Sequence, residues 1–232
     1  MLKKISNIGD CGITCDFGDE VNKKTNKEVI KLFNFIDESV KNKKIKGILN
    51  YTPSYNKLII NFDLEQVKSK ELIEFIKSND YSKTIFSEQS KILEIPICYD
   101  EEFALDIKRL EEKTKLNFNE IVKEHQNTDF FVYMIGFVPG QPFLGDLKNN
   151  LYHDRLDTPR VKINKGSVGI VEKFCTIYTF ESPGGWNIIG KTPLDLFNIK
   201  NKESSLLSPG DSVKFKSVNK KDFLTFKNEE LF

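Results

Sequence analysis

Ser182-Pro-Gly-Gly-Trp-Asn-Ile-Ile-Gly-Lys-Thr-Pro193 is the stretch on which the reading of this chain turns. It holds the only tryptophan, Trp186, directly after Pro183-Gly184-Gly185. Adjacent glycines after a proline reach backbone angles closed to other residues. The stretch therefore predicts a tight turn that can bring main-chain N–H groups close to a ligand or a second segment. Upstream lies a second stretch of the same texture, Gly136-Phe-Val-Pro139-Gly140-Gln-Pro142-Phe-Leu-Gly145. Two readings fit: ordinary hairpin turns of a β domain, or two walls of a single groove. Around both, from Phe130 onward, short apolar runs alternate with Gly, Pro, Asn and Asp and no helical period persists. That pattern predicts a β barrel or sandwich.

Ahead of this region the pattern differs. Lys4 to Ile8 and Ile13 to Phe17 read as strands around a turn, and Asn26 to Val40 as a helix with Val29, Phe33, Ile36 and Val40 on one stripe. The lysines that follow suit a helix C-terminus. Ile45 to Tyr51 and Lys57 to Phe62 read as strands, and Ser69 to Lys77 as a second helix. The polar run from Ser78 to Lys91 has no period and marks a boundary. This gives a small α+β domain over 1–85 and a mainly β domain over 86–232, which a chain of 232 residues accommodates. The second domain opens with a strand over Lys91 to Tyr99, whose Pro96 points to an edge or a crossover. Helices follow over Leu105 to Lys113 and Phe118 to Gln126. Asn117 and Glu120 form a capping-box pattern before the second of them.

The balance of charge, net +1, gives no reason to propose nucleic acid or an anionic membrane as partner. No apolar run reaches the about 20 residues of a membrane span, and no signal peptide opens the chain. Cys11, Cys15, Cys98 and Cys175 lack the spacing of a zinc or redox motif, so the expectation is a reduced, cytoplasmic protein. With only His125 and His153, no metal site is expected. Phosphate-binding glycine loops and a zinc-protease motif are absent from the sequence. Ser167 in Gly166-Ser167-Val168-Gly169 does not have the spacing of a nucleophile elbow.

Arginine is scarce: Arg109, Arg155 and Arg160 stand against many lysines. A sequence that otherwise chooses Lys uses Arg where a planar fork matters. Arg155 and Arg160 thus either anchor a carboxylate or phosphate or pair with Asp154, Asp157 or Asp195. Lys191, pinned between Gly190 and Thr192-Pro193, is a further candidate cation. His125 lies on the apolar stripe of its helix; it is either a core histidine with a satisfied hydrogen bond or a general base that reaches the groove.

The motifs Tyr133-Met-Ile-Gly-Phe-Val-Pro-Gly-Gln-Pro-Phe-Leu-Gly145, Asp157-Thr-Pro-Arg160, Gly166-Ser-Val-Gly-Ile170, Ser182 to Phe197 and Leu206-Leu-Ser-Pro-Gly-Asp-Ser-Val-Lys-Phe215 follow one another in the order of a known family. The chain resembles the B subunits of bacterial ATP-dependent 5-oxoprolinase, a family that includes allophanate hydrolase subunit 1 and the sporulation kinase inhibitor KipI. The resemblance implies a cyclophilin-like β barrel after a small α+β domain. It also implies partners, 5-oxoprolinase subunits A and C, with the C subunit in direct contact, and ATP as cofactor. The implied reaction opens the lactam of 5-oxoproline to L-glutamate. Phosphorylating the lactam oxygen would make the ring carbon electrophilic. On this reading His125, Arg155 and Arg160 are the catalytic candidates. Phe137, Pro139, Gly140 and Gln141 of the first turn bind substrate, with Ser182, Gly184, Gly185, Trp186, Lys191 and Thr192 of the second. No phosphate loop in the sequence says which subunit binds ATP.

The chain departs from the family pattern at several points. The family usually has Phe where Gln141 stands and Arg where Lys191 stands. The family's Gln-Thr-Gly turn becomes Phe174-Cys-Thr-Ile-Tyr-Thr179 here. These changes keep a second function in view, a KipI-like inhibitor of a sporulation histidine kinase. A third is an allophanate- or urea-carboxylase-type carboxyltransferase component using biotin.

Overall fold

A computed structural model describes residues 2–84 and 92–226. Contacts divide the chain into two units, Met1–Gln89 and Ser90–Phe232. The expected boundary between residues 85 and 86 lies outside the described residues.

The first unit carries β1 (Lys4–Ile8), β2 (Gly12–Asp16), α1 (Lys23–Lys41), β3 (Ile48–Pro53), β4 (Lys57–Phe62) and α2 (Ser69–Ser78). Its sheet is antiparallel in the order β1-β2-β4-β3. The α1 helix starts earlier than its apolar stripe predicts, because Asn22 caps it by accepting the N–H of Thr25. Ile13, Cys15, Leu58, Ile60 and Phe62 alternate along the two central strands. They bury against Val29, Leu32 and Ile36 of α1 and Leu72 and Ile76 of α2.

The second unit begins with β5 (Ile92–Ile97), α3 (Ile107–Thr114) and α4 (Phe118–Gln126). The Asn117–Glu120 capping box before α4 forms as the sequence predicts. Then come β6 (Phe130–Ile135), β7 (Pro142–Gly145), β8 (Arg160–Ile163), β9 (Ser167–Val171), β10 (Phe174–Ile177), β11 (Ser182–Gly184), β12 (Asn187–Lys191), β13 (Ser212–Ser217) and α5 (Lys220–Thr225). Seven strands form one sheet in the order β12-β9-β10-β7-β6-β13-β5. Its two ends meet just past β5, where Cys98 and Lys191 exchange N–H···O bonds of 2.8 and 2.9 Å. The sheet thereby curls into a barrel, the β architecture expected from the turn-rich sequence. The parallel pair β5–β13 sits beside this seam, where Pro96 removes one ladder donor.

Alternation fills the barrel. Val168 and Ile170 of β9, Cys175 and Ile177 of β10, and Val213 and Phe215 of β13 point inward with Phe130, Val132 and Leu144. From the helices Leu110 and Ile121 close on the same core. Outside the barrel, β8 and β11 form a separate two-stranded ribbon, pairing Ser182 with Ile163 and Gly184 with Arg160. The ribbon positions the tryptophan-bearing turn.

Candidate functional site

The first wall of the site is the turn between β6 and β7. Phe137 and Gly140 both adopt positive φ, 69° and 71°. A Cβ on Gly140 would lie 2.6 Å from that of Phe197, so only glycine fits there. The Pro139 carbonyl accepts the Thr179 hydroxyl at 2.7 Å, which ties the turn to the segment after β10. Leu144 faces the core, so its neighbour Phe143 faces the opposite side, toward the turn's concave face. Gln141 is buried. Its Nε2 donates to Thr176 Oγ1 at 3.1 Å, and Thr176 in turn donates to the Pro142 carbonyl at 2.8 Å. The Gln141 Oε1 has no hydrogen-bond partner among the described residues.

The second wall is the β11 turn. A Cβ on Gly184 would overlap the hydroxyl of Tyr178, and one on Gly185 would lie 3.1 Å from the Arg155 guanidinium. Both glycines therefore permit close approach. The segment that carries Arg155 is strapped down from both sides. The Leu156 N–H donates to the Gly185 carbonyl at 2.7 Å, and the Asn187 amide donates to the Asp154 carbonyl at 2.9 Å. Held in this way, Arg155 makes no ion pair or hydrogen bond with any described residue.

Between the walls lies a pocket of about 240 Å³. Phe137, Gln141 and Phe143 line it from the first turn, Pro183, Gly185 and Trp186 from the second, and Arg155 and Tyr178 complete it. The Phe143 and Trp186 rings meet edge-on, 5.9 Å apart. Burial pushes the Tyr178 hydroxyl up to about 12, with the nearby positive charge of Arg155 pulling the other way, so it is a neutral phenol. The pocket is lined by one guanidinium, by aromatic faces and by Gln141, whose buried carboxamide oxygen has no partner among the described residues. No carboxylate lines it.

The structure thus joins the two turns into one pocket and brings Phe137, Gln141, Gly185, Trp186 and Arg155 together. Pro139, Gly140, Ser182 and Gly184 build the walls from behind rather than lining them. The remaining candidates are elsewhere. Arg160 does not join Arg155: its two terminal nitrogens bind Asp106 at 2.6 and 2.9 Å. The aspartates near it in sequence, Asp154 and Asp157, and the more distant Asp195 are not its partners. Asp106 lies 54 residues away, at the start of α3, where no local pattern marks it as the counter-ion. Lys191 and Thr192 line a different cavity of about 360 Å³, where the Lys191 ammonium stands over the Phe103 and Phe223 rings at 5.7 and 6.0 Å.

His125 is not at the pocket either. It is fully buried in the barrel core, with Nδ1 2.8 Å from the Tyr99 hydroxyl and Nε2 3.6 Å from the Cys175 sulfur. The Phe130 and Phe215 rings pack around it. Burial pushes its pKa from 6.5 down to about 3, so the imidazole is neutral. The unfolded chain binds a proton near pH 6.5 that the folded one refuses until about pH 3. Its contribution is fully present above about pH 6.5 and is lost as pH falls toward 3, at up to about 1.4 kcal/mol per pH unit. His125→Leu is expected to flatten this acid limb, which urea midpoints recorded at neutral and acid pH will show.

Phe143 and Tyr178 lie within the quoted motifs but are not among the candidate site residues that the sequence gives. Each follows or precedes an inward-facing residue, Ile177 or Leu144, so strand alternation is the signal that points them outward. Among the described residues no cluster of His, Cys, Asp and Glu could hold a metal, and no helix is long and apolar enough to cross a membrane.

Residues 3–207 match the family model of the carboxyltransferase domain, subdomain C and D. The chain is 33% identical to the B subunit of 5-oxoprolinase from Bacillus subtilis (strain 168), over 97% of each chain. The solved structure of TTHA0988 superimposes with a TM-score of 0.78 at 26% identity, covering 90% of this chain but 40% of that longer one. The Kluyveromyces lactis urea amidolyase shares the fold, with a TM-score of 0.75 at 21% identity, and this chain spans 15% of its length. The chain belongs to the family of 5-oxoprolinase B subunits, built on the subdomain C and D module of the carboxyltransferase domain.

Proposed function

We propose that this chain is the B subunit of a cytoplasmic ATP-dependent 5-oxoprolinase. It acts with subunits A and C, the C subunit being its direct partner, to open the lactam of 5-oxoproline to L-glutamate as ATP is hydrolysed. The observation that carries this reading beyond family membership is the unpaired Arg155 guanidinium at the mouth of an aromatic pocket. A guanidinium fork is matched to a carboxylate, and the aromatic faces suit a small ring. The pocket does not fit ATP. Its volume is below the usual range for nucleotide-sized ligands, and one guanidinium cannot balance a triphosphate. We therefore assign ATP to another surface of the complex.

What this chain supplies is substrate positioning and a water-poor wall. The neutral Tyr178 hydroxyl is buried against Gly184, and the backbone around Arg155 is tied to Gly185 and Asn187, so the guanidinium is delivered to the pocket from an anchored segment. The test is 5-oxoproline-dependent ATP hydrolysis by this chain mixed with subunits A and C. Omitting the chain is expected to abolish the coupled activity; equal activity without it sinks the reading. In the same assay Arg155→Ala is expected to raise KM for 5-oxoproline about 10- to 100-fold. That is the loss of one charge-assisted contact.

A further inference from the structure

Two features of the pocket are unmatched within the chain. Arg155 carries a positive charge with no counter-ion among the described residues, and the buried Gln141 carboxamide presents an oxygen with no donor. A buried acceptor left without a donor is uncommon in folded proteins, and at a cavity wall its natural explanation is a ligand donor. The hydrogen-bond chain fixes which end of the carboxamide is free. Thr176 Oγ1 spends its proton on the Pro142 carbonyl, so it can only accept from Gln141, and the Gln141 nitrogen must face it. The oxygen is left over.

We infer that this pocket by itself selects the closed lactam acid over its ring-opened product, with Arg155 taking the carboxylate, Gln141 Oε1 accepting the ring N–H, and the joined Phe143 and Trp186 rings forming an apolar side for the ring. The identity of the lactam rests on the function proposed above; the selection rests on the chemistry of the lining. The closed ring brings one negative charge, one neutral N–H donor, one carbonyl acceptor and an apolar edge, for which the lining holds Arg155, Gln141, the neutral Tyr178 hydroxyl and the aromatic rings. Ring opening converts the neutral N–H into an ammonium and the lactam carbonyl into a second carboxylate. No carboxylate lines the pocket to meet the ammonium, and no second cation meets the new anion. Placing unpaired charges in a partly desolvated pocket is unfavourable, so the product is expelled.

Trp186 is the only tryptophan in the sequence and lines the pocket, so its emission reports occupancy of this site alone. The full chain is titrated without partners, using 5-oxoproline, L-glutamate, cyclopentanecarboxylate and 2-pyrrolidinone. The third probe lacks the amide and the fourth lacks the carboxylate. A saturable emission change is expected with 5-oxoproline, and each of the others is expected to bind at least about tenfold more weakly. Gln141→Leu should bring 5-oxoproline down to the level of cyclopentanecarboxylate while leaving the latter within about twofold; Gln141→Met serves as the second variant if Leu disturbs folding. Arg155→Ala should weaken both acids together. The inference is overturned if 5-oxoproline and glutamate bind alike, if the folded Gln141 variants keep the preference for the lactam, or if emission never changes. An active reconstituted complex with no emission response in the isolated chain would overturn this inference and leave the proposed function standing. Lactam-selective emission from a chain dispensable for ATP hydrolysis would do the reverse.

Discussion

Asp106→Ala is expected to destabilise the second unit by about 3 kcal/mol, read as a fall in the urea midpoint at unchanged slope. Asp106 is 6% exposed and satisfies three donors at once. Its carboxylate accepts both ends of the Arg160 fork, at 2.6 and 2.9 Å, and the Ile188 N–H at 2.7 Å. Its own N–H donates to the Ile188 carbonyl at 2.9 Å. One residue thus locks the start of α3 to β12 and to β8. Alanine would orphan the Ile188 N–H and leave Arg160 without its counter-charge. Because the Arg160 side chain is 29% exposed, water can recover part of that loss, which keeps the figure at the lower end for broken buried pairs. Asp106→Asn retains an acceptor and should lose about half as much. An unchanged midpoint in the alanine variant would show that the fork contributes nothing to the fold. A functional effect should accompany the loss. Arg160 pairs with Gly184 across the ribbon, so a loosened β8 also loosens the wall that holds Gly185 and Trp186.

Gly145→Ala is expected to cost about 3 kcal/mol for a different reason, overpacking. A Cβ there would lie 2.6 Å from Cδ2 of Tyr133 and closer still to Cε2. The ring cannot swing aside. It is 1% exposed, Phe131 and Phe174 pack edge-on against it, and its hydroxyl donates to Asp146 at 3.0 Å. Because Gly145 pairs with Phe131 at the far end of the β6–β7 ladder from the turn, the strain would reach Phe143 and Gln141 through the strand. Double replacement with Tyr133→Leu, which removes the obstructing ring edge, should recover part of the loss; no recovery would point to a cause other than this contact.

Local pattern carries much of the fold. The alternation of Leu58, Ile60 and Phe62 and the Asn117–Glu120 capping box are events within a few residues, and they appear where the sequence puts them. The pairing of the two glycine–proline turns is legible as a possibility because both share a composition that permits close approach. Partners set by the tertiary fold are not legible. Nothing near Arg160 in sequence marks Asp106 as its counter-ion, and charge pattern alone gives both arginines the same reading. His125 shows the same limit. Its helical spacing allows both a core and a groove position, and only the inward turn of α4 beside Phe215 decides for the core.

The seam of the barrel has a consequence for biosynthesis. The β5 strand, among the first parts of its unit to leave the ribosome, finds its ladder partner in β13, which is nearly the last. Pairing between such distant segments is slow to nucleate and must await the whole intervening chain. The first unit pairs only strands that lie within its own span, Met1–Gln89, so its sheet does not wait for the second unit to be synthesised. Chains released before Ser217 would leave β5 and β6 with open edges, which makes premature termination a route to aggregation rather than to a shorter working protein.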